Sequence, residues 1–294
     1  MLKIAALQHS FKGDRERTLE YIATQIQTIA HNKSAQLIVL QELHSREYFC
    51  QSENTKFFDY GDTYHDDIVF FSQLAKRYGV VIVSSLFEKR SFGLYHNTAV
   101  VFETNGEIAG IYRKMHIPDD PSFYEKFYFT PGDLGFEPIQ TSVGKLGVLI
   151  CWDQWFPEAA RIMALKGAQI LIYPTAIGWT PSDSDDEKQR QLQAWITIQR
   201  SHSIANGIPV IALNRVGFEA DLSGVGEGID FWGHSFVCGA QGEFLANANT
   251  TETNMLCEID LARSEEVRRI WPFLRDRRIE SYTDILKRFC DTTT

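Results

Sequence analysis

Gly147-Val148-Leu149-Ile150-Cys151-Trp152-Asp153-Gln154-Trp155-Phe156-Pro157-Glu158 is the stretch whose reading decides the fold. An apolar run of strand type stops at a cysteine, and a proline soon opens a helical stretch that closes at Gly167. Proline suits a first helical turn and glycine suits a left-handed cap, so the segment reads as strand, sharp turn and helix. The same alternation extends to both sides. Residues 4–8, 37–40, 80–86, 99–102, 148–150, 170–173 and 210–213 are short apolar runs of buried-strand type. Between them Leu19, Ile22, Ile26 and Ile29 recur at helical spacing, as do Ile68, Phe71, Leu74 and Tyr78, and a further helix is expected over residues 187–206. Later strands near Ala99, 108–112, 234–238, 244–246 and 255–259 follow one another through turns such as Asn105-Gly106 and Gln241-Gly242, which read as hairpins. Helix-linked and hairpin-linked strands together predict a mixed α/β (α+β) fold: two mixed sheets face to face with helices outside, a four-layer α-β-β-α sandwich.

The chain has 294 residues, 44% hydrophobic and 23% charged, with no break in composition that would mark a linker, so residues 1–294 are expected to form a single domain. Its 29 Lys and Arg against 38 Asp and Glu leave a formal charge of -9, which carries no basic footprint for nucleic acid or an anionic membrane. A neutral or cationic small substrate fits that balance. Cys50, Cys151, Cys238, Cys257 and Cys290 are odd in number and widely spaced, which favours neither a disulfide framework nor a zinc ribbon, and implies a reducing, cytoplasmic setting. No apolar run has the length of a membrane span. Histidines 65, 96, 116, 202 and 234 show no metal-ligand spacing, and no metal is expected. Residues 263–294 carry Trp271, Phe273, Tyr282 and Phe289, and read as a C-terminal extension that packs either on its own domain or on another subunit.

Cys151 is the first candidate for chemistry, because a thiol in a strand-to-helix turn has backbone N–H groups near both its sulfur and any oxyanion it creates. Taken alone, a cysteine reads first as a buried structural residue, and only its turn sets Cys151 apart. Glu42 lies just past the carboxyl end of the run 37–40, where α/β sheets place their ligands, and a desolvated carboxylate there can take a thiol proton and return it to a leaving amine. Otherwise it is an ordinary strand-end acid. Lys114 ends another strand-type run, where an ammonium can stabilise a developing oxyanion or simply meet solvent.

Glu42, Lys114 and Cys151, each at the end of a separate strand, form a pattern carried by long flanking words: Gln41-Glu42-Leu43, Tyr112-Arg113-Lys114-Met115-His116-Ile117-Pro118, Tyr124-Glu125-Lys126-Phe127-Tyr128-Phe129-Thr130-Pro131-Gly132-Asp133, Cys151 to Arg161, and Asn214-Arg215-Val216-Gly217. On these the chain resembles the nitrilase superfamily of carbon–nitrogen hydrolases, in the wording of its N-carbamoylputrescine amidohydrolase branch, over about the first 260 residues. The resemblance implies the α-β-β-α fold, assembly into homo-oligomers built from dimers, and no cofactor. It implies Cys151 as nucleophile, Glu42 as general base, Lys114 with the Trp152 backbone N–H as oxyanion donors, and Glu125 as a second glutamate that orients the lysine and substrate. The implied reaction is hydrolysis of N-carbamoylputrescine to putrescine, carbon dioxide and ammonia through a thioester on the cysteine.

A carbamoylated amino acid would call for a bidentate arginine beside the cysteine, and the residues after Cys151 are neutral or acidic. The loop Pro181-Ser182-Asp183-Ser184-Asp185-Asp186-Glu187 carries four carboxylates. One or more of Asp183, Asp185, Asp186 and Glu187, with the faces of Tyr48 or Trp152, is therefore expected to bind the amine end of a small cationic carbamoyl-amine substrate. The same acids also suit the first turn of a helix. The rival readings are an amidase or carbamoyl-amino-acid hydrolase of the same superfamily, and a catalytically silent scaffold.

Overall fold

The first strand shows why the apolar runs carry so little polar punctuation. In β1 (Leu2–Gln8), Ile4 and Ala6 enter the core between two sheets, while Ala5 and Leu7 enter a second core beneath helices, so both faces are dry. β2 (Leu37–Leu40) divides in the same way, with Leu37 and Val39 on one face and Ile38 and Leu40 on the other. The computed structural model describes residues 1–32 and 35–291.

β1, β2 and β3 (Val81–Ser91) run parallel, and β4 (Leu94–Phe102) and β5 (Ile108–Arg113) extend the sheet as antiparallel strands. The second sheet repeats this plan. β7 (Gly144–Val148), β8 (Ile170–Pro174) and β10 (Val210–Leu213) run parallel, with β6 (Ile139–Thr141) antiparallel on one side, and β13 (Phe236–Cys238) then β14 (Phe244–Asn247) on the other. β9 (Gly178–Trp179), β11 (Val216–Glu219) and β12 (Ile229–Trp232) form a small third sheet from the chain that leaves β8 and β10. Helices α1 (Arg15–His31) and α2 (Tyr64–Tyr78) cover the first sheet through Ile22, Ile26, Phe71 and Leu74. A four-residue helix, α3, spans Glu125–Tyr128. α4 (Pro157–Leu165) and α5 (Asp185–Asn206) cover the second sheet through Ala160, Met163, Leu192 and Trp195. This is the expected four-layer sandwich.

Gly167 ends α4 at a φ of 92°, as the left-handed cap requires, and Gly106 and Gly242 carry the two expected hairpin turns. One expected pairing differs. β15 (Thr253–Ile259) forms no hairpin with β14; it crosses to the first sheet and pairs antiparallel with β1, from Leu2 against Ile259 to Gln8 against Thr253. The crossing is held by Gln8 Nε2, which donates to the carbonyls of Asn249 (2.8 Å) and Thr251 (2.6 Å). α5 starts two residues before the expected 187 because Ser184 accepts from the Glu187 N–H and caps it.

The tail divides in two. Residues 263–270 belong to α6 (Leu261–Ile270), which packs on its own domain through Val267 and through Arg268 Nε donating to Asn206 O (3.0 Å). From Trp271 onward most side chains are exposed, including Ile279, Ile285, Leu286 and Phe289; residues 292–294 lie outside the described residues. Among the described residues no helix is long and apolar enough to cross a membrane.

Candidate active site

Glu42, Lys114 and Cys151 arrive at the carboxyl-terminal ends of β2, β5 and the run that follows β7, and the fold brings those ends together. Cys151 opens a five-residue 3-10 turn, Cys151–Trp155, with a φ of 43°, a left-handed backbone that a residue with a side chain adopts at a cost of about 1–3 kcal/mol. Asp153 holds the turn. Its fully buried carboxylate accepts from the Ile150 N–H (2.9 Å), the Tyr112 hydroxyl (2.8 Å), and the His116 N–H (3.0 Å) and Nδ1 (2.7 Å). Gln154 secures the other side by accepting from Thr175 Oγ1 (3.2 Å) and Trp195 Nε1 (2.9 Å).

Lys114 is buried between two carboxylates, donating to Glu42 Oε1 and to Glu125 Oε2, both at 2.7 Å. Burial alone would lower its pKa, but Glu125 and Glu42 override that and hold the ammonium well above the ordinary lysine value. Two of its three N–H donors are used, which leaves one for a substrate oxygen. Glu42 is equally buried, and desolvation pushes its pKa up to about 7 against the pull of Lys114 and of the neighbouring Cys151 thiol. Its Oε1 also accepts from Asn97 Nδ2 (2.8 Å), and its Oε2 from the Ala176 N–H (2.9 Å). Glu125, the first residue of α3, receives the Tyr48 hydroxyl on Oε1 at 2.8 Å.

The turn does not acidify Cys151. Burial pushes the Cys151 thiol well above its usual value, Glu42 adds to the rise, and Lys114 only partly opposes it. The stabilising helix N-terminus is absent, because α4 starts at Pro157, beyond the short turn, and a helix dipole acts only over its first turn. Cys151 therefore rests as a thiol, with its Sγ 3.9 Å from Ala176 O, and a role as nucleophile would call for a base beside it. Glu42, titrating near 7, suits that task.

Cys151 opens onto a cleft of about 450 Å³ whose wall includes Phe123, Trp152, Trp155, Trp232 and two acids, Asp120 and Asp183; among the described residues no Lys, Arg or His lines it. Asp183 accepts from Thr180 N and Gln191 Nε2, both at a long 3.3 Å. Asp120 Oδ1 is buried without a hydrogen-bond partner among the described residues, and burial pushes this carboxyl upward. Trp152 and Asp183 thus stand on the cleft as expected. Asp185, Asp186 and Glu187 do not line it: they occupy the first turn of α5, where Arg190 binds Glu187 (2.7 Å) and helps hold its carboxyl below the usual range. Tyr48 is also off the wall, buried against Phe123 and Phe231 behind Glu125. Among the described residues no cluster of His, Cys, Asp or Glu is arranged to hold a metal ion.

Asn97, Asp120 and Asp153 escaped the sequence reading. Asp153 sits beside Cys151 and Asp120 between the Lys114 and Glu125 segments, neither with a role that its neighbours in sequence reveal, while Asn97 shows only as a polar residue ahead of an apolar run.

A family model described as carbon-nitrogen hydrolase matches residues 3–269. The chain belongs to the carbon-nitrogen hydrolase family. The chain is 62% identical to a carbon-nitrogen hydrolase from Helicobacter pylori G27 whose crystal structure superimposes with a TM-score of 0.97, covering 98% of this chain and 99% of that one. It is 41% identical over 290 residues to the N-carbamoylputrescine amidase of Solanum tuberosum, covering 97% of this chain and 95% of that protein. The citrullinase of Francisella tularensis is 38% identical over 293 residues, covering 98% and 99%. An amidase from Nesterenkonia sp., 22% identical with a TM-score of 0.78 over 97% and 96% of the two chains, shares the fold.

Proposed function

We propose that this carbon-nitrogen hydrolase cleaves N-carbamoylputrescine to putrescine, carbon dioxide and ammonia. The observation that carries the choice is the cleft beside Cys151, whose wall offers Asp120, Asp183 and indole faces to a distal ammonium and, among the described residues, no cationic side chain to a carboxylate. The relatives named N-carbamoylputrescine amidase, at 41–43% identity, support it. The citrullinase relative favours one rival, a carbamoyl amino acid that bears a carboxylate.

In the proposed reaction Glu42 takes the thiol proton as sulfur bonds to the ureido carbon. Lys114 and the Trp152 N–H hold the oxyanion; as the second residue of its turn, Trp152 has no N–H acceptor within that turn. Glu42 returns the proton to the departing nitrogen, and the C–N bond breaks to leave a thioester on Cys151. Water, deprotonated by Glu42, then attacks the thioester carbon, the thiol leaves with the proton, and the carbamic acid released loses carbon dioxide to free the second amine. Glu125 holds Lys114 in place throughout. The fluid reducing setting of the cytoplasm fits a chain whose five cysteines are all unpaired.

The test is ammonia release from N-carbamoylputrescine, citrulline and a mixture of the two by wild type and by Cys151→Ser. Turnover of the first, lost in the variant and little inhibited by citrulline, supports the assignment; preference for citrulline overturns it. We also propose that the exposed stretch after Trp271 packs on a second copy in a homo-oligomer built from dimers, since it leaves Ile279, Ile285, Leu286 and Phe289 in water. Light scattering on the full chain showing only monomer would refute that.

A further inference from the structure

Glu42 and Glu125 must keep their places around Lys114 while protons pass beside it, and the chain directly after Glu42 has little regular structure to fix it. It turns through Leu43, at a φ of 45°, and reaches Tyr48 before any further helical turn begins. Arg215, the second residue beyond β10, is completely buried and reaches into this loop. Its Nη2 donates to the carbonyls of Leu43 (2.9 Å) and Arg46 (2.5 Å), and its Nη1 to both oxygens of Glu219 (2.9 and 3.1 Å). Glu219 Oε2 in turn accepts from the Tyr48 N–H at 2.6 Å, and the Tyr48 hydroxyl donates to Glu125 Oε1 at 2.8 Å. One unbroken run of hydrogen bonds thus joins the end of β10 to the carboxylate that holds the oxyanion lysine.

Apolar side chains of similar size would fill this space without the desolvation cost of a buried ion pair, so the pair needs a task that packing cannot perform. Its geometry supplies one. The four Nη hydrogens of Arg215 meet four acceptors on two separate segments, a planar fork that lysine cannot reproduce. The neighbouring Asn214 does the same for the opposite wall: its side chain accepts from the Ile177 N–H (2.9 Å) and donates to Ile177 O (2.9 Å), one residue from the Ala176 N–H that holds Glu42.

We infer that Arg215 and Glu219 are a positioning pair for the hydrolysis, fixing loop 43–48 so that Tyr48 locks Glu125 against Lys114. Neither residue lines the cleft, and both act through Tyr48. The inference rests on the roles proposed above for Cys151, Glu42 and Glu125.

A double-mutant cycle on kcat tests it, with wild type, Tyr48→Phe, Glu219→Ala and the double variant, using N-carbamoylputrescine or, if wild type does not turn that over, the simplest amide or ureide it does hydrolyse. Tyr48→Phe and Glu219→Ala are each expected to lower kcat by ~10–100-fold with KM within ~3-fold of wild type, the scale of a lost hydrogen bond to a charged group. The double variant should be no slower than the worse single one, because both changes cut the same path. Losses that multiply in the double variant, or singles that melt earlier yet keep wild-type kcat, overturn the inference. Should Glu219→Ala not fold, Glu219→Gln, which keeps an acceptor for Tyr48, takes its place with an expected ~3–10-fold loss that Tyr48→Phe again absorbs; multiplication there is equally fatal. A wild type inactive on N-carbamoylputrescine strikes the functional proposal alone, whereas an active wild type with multiplying or silent variants strikes the positioning pair alone.

Discussion

Asn97→Leu removes one hydrogen bond from the candidate base and nothing that a substrate touches. Asn97 Nδ2 donates to Glu42 Oε1 at 2.8 Å, beside the Lys114 donor to the same oxygen, and leucine fills similar space without a donor. A hydrogen bond to an ionised group is worth about 1.5–3 kcal/mol, and one pKa unit is about 1.4 kcal/mol, so losing this donor destabilises the carboxylate by ~1–2 units. The sign follows from which form is stabilised: Asn97 favours the anion, so its removal lifts Glu42 from about 7 toward ~8–9. The base works only when deprotonated, so the acid limb of kcat/KM moves to higher pH. At about pH 6 the variant should be roughly 10- to 100-fold slower than wild type, and near pH 10 it should come within ~2-fold. The assay is ammonia release across that range, with thermal melting at both ends to confirm that folded protein is compared. A loss of the same size at every pH, with the midpoint unmoved, would show that Asn97 does not act through the ionisation of Glu42.

Lys114→Met should abolish turnover and destabilise the fold by about 3–5 kcal/mol at neutral pH, since it leaves two buried carboxylates without their cation. Glu42 already binds its proton more tightly folded than unfolded, and more so without Lys114; the variant should thus be most stable below the ordinary carboxyl value of 4.5 and lose stability as pH rises from there through 7, a trend that melting temperature against pH will show or contradict. Asp153→Asn puts an amide where four donors converge, so it should melt earlier by about 2–4 kcal/mol and lower kcat more than it changes KM; unaltered kcat would mean the Cys151 turn holds its shape without that carboxylate. Asp120→Asn and Asp183→Asn should each raise KM for N-carbamoylputrescine by ~10-fold and leave a neutral alkylurea of equal length untouched, with equal effects on both compounds contradicting an ammonium subsite.

The sandwich was legible because its central strands are dry on both faces and so stand out as unbroken apolar runs between helices of clear period, as 37–40 and 210–213 show. The pairing of β15 with β1 was not legible, since a strand states its periodicity but not its neighbour across more than 240 residues of sequence. At the site, one rule found Glu42: look at the polar residues just past an apolar strand. Applied to β10 it would also have found Asn214 and Arg215, which the resemblance quoted only as words. Asp185, Asp186 and Glu187 misled because an acid at a helix start and an acid in a cleft look alike in sequence, and only Asp183 lies far enough before α5 to face the cleft. Asn97 was invisible because its task is defined by what lies opposite it in space.

A sulfur that keeps its hydrogen between turnovers has a further consequence. Peroxide and alkylating agents react with sulfur in its anionic form, so a buried thiol is a poor target for them, and on the mechanism proposed above it becomes reactive only when a substrate carbonyl is seated beside Glu42. On that mechanism occupancy of the cleft, rather than ambient redox chemistry, sets when this cysteine reacts.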